Sequence, residues 1–272
     1  MPVEERILRH YEEEQREEER LLRGAGRLEF LRTLSILERC LPATPASILD
    51  IGGGSGVYAI PLAARGYEVH LVDPVRRHLN IAKQYAAQND VALASVSIGD
   101  ARRLVFDDGS ADCALLLGPL YHLTERNHRL LALQEARRVL RTAGVLVVAA
   151  ISRFASLYDS LMGGFIDQPG FEQMLERDLT DGRHLPPADR TDWFTNAYFH
   201  LPEELKDELV QASFDDVKIF AVEGPGWVVP DLDERLDEPT RRERLLRLIA
   251  RVELEPSILG ASAHVVAVAR RP

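Results

Sequence analysis

The run Ile48-Leu49-Asp50-Ile51-Gly52-Gly53-Gly54-Ser55-Gly56 sets three alternate glycines directly after a short apolar stretch. Glycine adopts positive φ at no steric cost and lets a ligand approach the backbone. Gly52, Gly54 and Gly56 therefore read as a ligand-receiving loop between a strand and a helix. The same turn serves a dinucleotide, or no ligand at all as a tight β–α connection. The acids around it sharpen the reading. Asp50 precedes the glycines, where a carboxylate can hold an ammonium group directly or through water. Asp73 ends the next apolar run, with Pro74 behind it, and can accept hydrogen bonds from both hydroxyls of a ribose. Asp100, followed by Ala101, comes after a third run and suits an adenine amino group. Singly, each acid is an ordinary surface or capping residue. Together they mark the carboxyl ends of three successive strands, the edge where open α/β sheets bind ligands.

A second set of residues suits acceptor chemistry. Leu117-Gly118-Pro119-Leu120-Tyr121-His122 follows the fourth apolar run, and Tyr121 and His122 are catalytic candidates there. Histidine is a general base near neutral pH; the competing reading is that His122 only caps the next helix. Arg153, after the fifth run, can hold an acceptor's carboxylate or phosphate, or pair with an acid. Tyr198 and His200, in the aromatic-rich stretch 193–200, and Trp227, between glycines and a proline, can line an aromatic pocket or simply pack. Tyr11, Glu29 and Arg32 are candidates to close over the ligand from the N-terminal side. No metal is expected. Cys40 and Cys113 form no C-x-x-C, and no His/Cys/acid group has metal-ligand spacing. A G-x-S-x-G nucleophile signature is also absent.

The elements that must position these residues alternate. Ser47–Ile51, Glu68–Asp73, Leu93–Ile98, Ala111–Leu117 and Val145–Ile151 read as strands, separated by helical patterns at 57–64, 75–87 and 125–140. Such alternation predicts a parallel sheet with helices on both faces. The rhythm stops at 152–200, resumes with a helix at 202–212 and a strand at 217–223, and closes with a strand at 264–270. A charged helix occupies 3–23, with Glu5–Arg9, Glu12–Arg16 and Glu19–Arg23 spaced as i,i+4 pairs. Gly24 and Gly26 end it.

On LDIGGGSG (49–56), VD (72–73), GDA (99–101), DCALLLGPLYHL (112–123) and EARRVLRTAGVLVVA (135–149), the chain resembles the class I S-adenosylmethionine-dependent methyltransferases. The resemblance covers roughly 28–151 and the last two strands. It implies a Rossmann-like α/β fold: a mostly parallel seven-stranded sheet of order 3-2-1-4-5-7-6 whose seventh strand runs antiparallel. It implies S-adenosyl-L-methionine as cofactor, with S-adenosyl-L-homocysteine as product. Asp50, Gly52, Gly54, Gly56, Asp73, Pro74, Asp100, Ala101 and Leu117 would hold it. Around the core (28–151, completed by 201–272) the expected additions are an N-terminal helical lid (1–27) and a cap from 152–200 and 225–259. The expected reaction is methyl transfer to O, N or C of a small molecule, an aromatic one among the candidates. The alternatives are an NAD(P)-dependent oxidoreductase, a protein or RNA methyltransferase, and a repurposed binder that methylates nothing.

Bulk properties agree. A net charge of −10 gives no broad basic footprint for nucleic acid. The longest apolar run falls far short of the roughly 20 residues a membrane span needs, and a glutamate-rich start is no secretory signal. The expectation is a cytoplasmic monomer or homodimer without membrane or nucleic-acid partners.

Overall fold

The computed structural model describes residue 11 and residues 20–187, 189–190 and 193–272. The helix expected over 3–23, and most of the expected lid, lie outside the described residues except for Tyr11 and the stretch from Arg20. Helix α1 spans Gly24–Cys40. The expected break falls at 21–23, and Gly24 and Gly26 belong to α1 rather than ending the helix before it. Gly24 enters at φ +56, while a Cβ on Gly26 would lie 2.2 Å from the Arg20 carbonyl oxygen. Gly26 thus permits a close crossing of the preceding turn.

Seven strands form the main sheet: β1 (Ser47–Ile51), β2 (Glu68–Asp73), β3 (Ser95–Ile98), β4 (Ala111–Leu116), β5 (Leu140–Ile151), β8 (Asp215–Ala221) and β9 (His264–Arg270). Their order is β3-β2-β1-β4-β5-β9-β8. Counted within this sheet alone, that matches the expected arrangement. Two short strands, β6 (Arg183–His184) and β7 (Ala197–Tyr198), pair with each other elsewhere and shift the later numbers. At two residues apiece they carry no sequence periodicity. β1 to β5 are parallel, and β9 runs antiparallel between β5 and β8.

Period-two alternation gives each central strand two buried faces. Leu49, Val148 and Val265 face one core with α5 (Arg126–Val139) and α8 (Pro202–Gln211). Ile48, Val147 and Val266 face the other, with α1, α2 (Ala59–Ala63) and α3 (Arg76–Gln88). A four-residue helix, α4 (Pro119–His122), follows β4. No helix among the described residues is long and apolar enough to cross a membrane.

Two excursions leave the sheet. The first carries α6 (Ala155–Gly163), α7 (Phe171–Asp181) and the β6/β7 ladder, and packs on Phe171, Met174, Leu175 and Trp193. The second carries α9 (Leu232–Asp237), α10 (Pro239–Ala250) and α11 (Pro256–Leu259). β5 and β8 run in the same direction, so both excursions start from one edge of the sheet, the carboxyl edge of β1 and β2.

The second excursion is fastened to α1 by a buried carboxylate. Glu253 receives the guanidinium of Arg32 and, at 2.5 and 2.9 Å, that of Arg39. Arg32 also donates to the Val222 carbonyl at 3.1 Å. Glu253→Gln leaves the buried Arg32 charge without its counter-ion, which should cost about 3–5 kcal/mol and lower the melting temperature clearly. The double replacement Arg32→Met with Glu253→Met should recover much of the loss. An unchanged melting temperature in Glu253→Gln would show that the pair bears no load.

Candidate active site

The sheet's carboxyl edge holds a cavity of about 130 Å³. β1 is followed by the glycine loop, and Gly52 and Gly54 adopt φ +68 and +57 there. A Cβ on Gly52 would meet the Pro119 ring at 2.8 Å, so this glycine lets the loop after β1 touch the loop after β4. Gly54 opens on the cavity. Gly56 does not line it. Its α carbon instead faces α3, where a Cβ would lie 3.3 Å from Ala82. Of the three loop glycines, Gly56 therefore serves helix packing.

The three expected acids do converge on this cavity, along with Pro74, Ala101 and Leu117. Their states differ. Asp73 is occupied: Oδ2 accepts the Gly54 N–H, and Oδ1 accepts the Val75 N–H, at 2.9 Å each. His78 Nδ1 stands 3.1 Å from the same Oδ1. A carboxylate offers about four acceptor positions, so the expected grip on both ribose hydroxyls shrinks to one open position unless His78 moves. Asp100 is gripped side-on by Arg102, with contacts of 2.6 to 3.2 Å plus the Arg102 backbone N–H at 2.9 Å. Burial pushes the Asp100 carboxyl up, but these bonds outweigh it and hold the pKa below the usual value.

Asp50 is the opposite case. It is buried, and neither oxygen has a hydrogen-bond partner among the described residues. Burial, and then the neighbouring Asp73 charge, push its pKa up to about 7. An orphaned acid beside a ligand cavity is a seat for a cation or a donor.

His122 and Tyr121 line the cavity on α4. His122 Nε2 lies 2.7 Å from the Tyr11 hydroxyl, and Nδ1 lies 3.4 Å from the Asn196 carbonyl. The carbonyl can only accept, so a hydrogen bond there puts a proton on Nδ1, the tautomer in which Nε2 is the acceptor. Tyr11 is itself held by Arg77, which donates to its carbonyl at 3.0 Å.

A second cavity, of about 380 Å³, adjoins the first. Tyr11, Glu29 and Tyr121 line both. Trp227 lines the second, where its indole N–H donates to the Ala261 carbonyl at 3.0 Å. Arg153, Tyr198 and His200 line neither. Arg153 donates to Glu204 at 2.6 Å and to the Phe199 carbonyl at 2.8 Å. Tyr198 lies under the Arg129 guanidinium at 3.7 Å, and His200 faces Glu208 at 3.4 Å. These three belong to a buried polar layer beneath the cap, because each found a charged partner before it could reach a ligand. Arg32, paired with Glu253, likewise lies away from both cavities.

Sequence reasoning missed Arg129. It pairs with Glu208 at 2.8 Å and donates to the Leu123 and Thr124 carbonyls at 2.9 Å each, fixing the chain directly after His122. It also missed a grouping in the second cavity. Glu29, Glu223 and His264 bring ligand-type atoms within 4.8 Å of one another, although they are far apart in sequence. Glu223 takes up His264 Nδ1 at 2.7 Å, and Arg20 takes up Glu29.

Residues 48–144 match a family model described as a methyltransferase domain. An uncharacterized methyltransferase of Mycobacterium tuberculosis is 35% identical over 106 residues, 39% of this chain; the match spans only 40% of that relative's length. A ubiquinone/menaquinone biosynthesis C-methyltransferase of Nitrosospira multiformis is 29% identical over 65% of this chain and 70% of its own. In fold, the chain is similar to a Thermotoga maritima S-adenosylmethionine-dependent methyltransferase, a possible histamine N-methyltransferase. The TM-score is 0.61 at 21% identity, over 98% of this chain and 100% of that one.

Asp50 carries a stability signature. Its folded pKa, about 7, exceeds the unfolded value of 3.8, so its stabilising share is complete below 3.8 and is lost as pH rises through 7. Asp50→Asn copies the neutral carboxyl. Its stability gain over the native protein should grow between these two pH values and stay level above, reaching a few kcal/mol. Thermal melts across that range check this; no gain at pH 8 would mean that Asp50 has a partner in solution.

Proposed function

We propose that the chain is a class I S-adenosylmethionine-dependent methyltransferase that methylates O, N or C of a small aromatic molecule. The observation that carries the reading is a cavity bearing the glycine loop and Asp50, Asp73 and Asp100, which continues into a second cavity walled by aromatic rings. A roomy, mostly apolar pocket with a few polar groups is what a small acceptor needs. The quinone-pathway name of the Nitrosospira multiformis relative supports an aromatic acceptor. In this reading 28–151 holds the cofactor, and 152–200 with 225–259 select the acceptor.

The first cavity suits S-adenosylmethionine. Unpartnered Asp50 would take the methionine ammonium, Asp73 one ribose hydroxyl, and the Asp100–Ala101 turn the adenine edge. When bound, the cofactor would supply an electrophilic sulfonium methyl to the acceptor. The chain's own residues then align the reactants and exclude water. The acceptor's proton has a path. The Tyr11 oxygen receives it as Tyr11 passes its own proton to His122 Nε2, and the Asn196 carbonyl steadies the resulting imidazolium through Nδ1–H. Placing Tyr11 on the wall of both cavities supports this relay, which makes His122 a base acting through a phenol.

Calorimetry with S-adenosylhomocysteine, run beside NAD, tests the cofactor assignment, and Asp73→Ala should weaken the former about tenfold or more. Tighter binding of NAD would overturn the reading. Methyl transfer from labelled S-adenosylmethionine to a panel of hydroxylated and aminated aromatics then identifies an acceptor. On it, His122→Ala and Tyr11→Phe should each lower turnover by about 10²–10⁴-fold with cofactor affinity nearly unchanged. Full turnover in both variants would leave alignment as the whole mechanism.

A further inference from the structure

Among the described residues, five charged groups line the second cavity, and their pairing is uneven. Arg20 donates to both oxygens of Glu29, at 2.5 and 3.0 Å. His264 Nδ1 lies 2.7 Å from Glu223 and 3.7 Å from Glu29. Burial alone would lower the His264 pKa, but the two carboxylates outweigh it and hold it at about 9, so the ring is a cation at neutral pH. Glu223 also accepts from the Ser262 hydroxyl and the His264 backbone N–H, at 2.8 and 2.9 Å. Two cations and two carboxylates are thus matched.

The fifth group, Asp159, has no hydrogen-bond or ion-pair partner among the described residues. It stands on α6, and the i, i+1, i+4 spacing of Ala155, Ser156 and Asp159 sets all three on the helix face that lines the cavity. Asp159 is exposed, yet the protein around the carboxyl raises its pKa by desolvation. The remaining wall is largely aromatic: Tyr121, Phe165, Phe171, Trp193, Phe194 and Trp227. His184, the other polar ring on the wall, is engaged at both nitrogens, by Asp178 and by the Trp193 carbonyl at 2.8 Å each.

Building on the acceptor reading above, we propose that this cavity takes an acceptor bearing an ammonium group, which Asp159 anchors while the ring faces cover it. The charge count decides between classes. A carboxylate or phosphate acceptor would meet Asp159 with both wall cations already paired. A neutral acceptor would seal Asp159 from water with nothing in exchange. An ammonium ion satisfies the carboxylate, and aromatic faces attract cations in addition. The anchored nitrogen is not the methylated atom, because protonation uses its lone pair. Asp159 lines only the second cavity, whereas Tyr11 and Tyr121 line both. The acceptor's other end therefore meets the methyl group.

Three probes with one ring and different tails test this: tyramine, 4-ethylphenol and 4-hydroxyphenylacetate. The chain's two tryptophans, Trp193 and Trp227, both line this cavity, so intrinsic fluorescence reads binding there. Titrations are run on the full chain with and without S-adenosylhomocysteine, whose own affinity is measured separately by calorimetry. Tyramine should bind about tenfold or more tighter than 4-ethylphenol, and 4-hydroxyphenylacetate weakest. Asp159→Asn should bring tyramine to the level of 4-ethylphenol, and Asp159→Glu should keep the preference. Equal binding of the three, tightest binding of the acid, no binding of tyramine, or an undiminished preference in Asp159→Asn each overturns the proposal. Failure to bind S-adenosylhomocysteine overturns the cofactor reading instead, and the order of the three tails is still read in its absence.

Discussion

Two carboxylates share one loop, and one of them takes nearly all its donors. Asp73 collects the Gly54 and Val75 amides and the His78 ring, which pins the glycine loop of β1 to the start of α3. Asp50, buried beside it, is left with nothing and also feels the Asp73 charge. The loop's shape and the unsatisfied seat beneath it are consequences of one allocation. The protein gives up stability at Asp50 and holds an unsatisfied acid beside the cavity in return, a trade common at binding sites.

The region around α4 and α8 depends on a comparable allocation among buried charges. Arg129 spends its donors on Glu208 and on the carbonyls of Leu123 and Thr124. It thereby ties the chain after His122 to α8. Tyr198, Arg153 and His200 fill the same layer with their own partners, and β7, which carries Tyr198, is fixed over it. A buried ion pair of this kind adds little net stability; here it sets where a loop lies. Phe194, at φ +72, adds a strained position close by, its ring 5.7 Å from that of His122.

The sheet was legible in the sequence because period-two burial, glycine turns and helical spacing are local signals. Strand positions, the glycine loop and the three acids follow from them. The partners of those acids do not, because hydrogen bonding is a property of the assembled fold. His78 and Arg102 lie only five and two residues beyond Asp73 and Asp100, but such spacings are common in loops and do not by themselves mark which side chain turns back onto the acid. The same limit applies to the stretch 193–200. Aromatic density at 193–200 marks packing, yet which rings face a cavity depends on Glu204 and Glu208 of the following helix and on Arg129, which arrives from a distant segment. Trp193 and Phe194 reach the cavity wall, whereas Tyr198 and His200, a few residues on, turn to the charged layer. Asp159 offers no local pattern at all; its interest lies in what fails to contact it.

The position of β9 bears on how the chain is made. β5 ends at Ile151, and the strand that covers its free edge begins only at His264. A ribosome therefore delivers β1 to β5, with the apolar run Val145–Ile151 on an open rim, well before the covering strand exists. An uncovered apolar strand edge templates pairing with other chains. During that interval the nascent protein needs shielding, by a chaperone or by the excursion helices settling early, and a slow stretch of translation between these points would prolong the exposure.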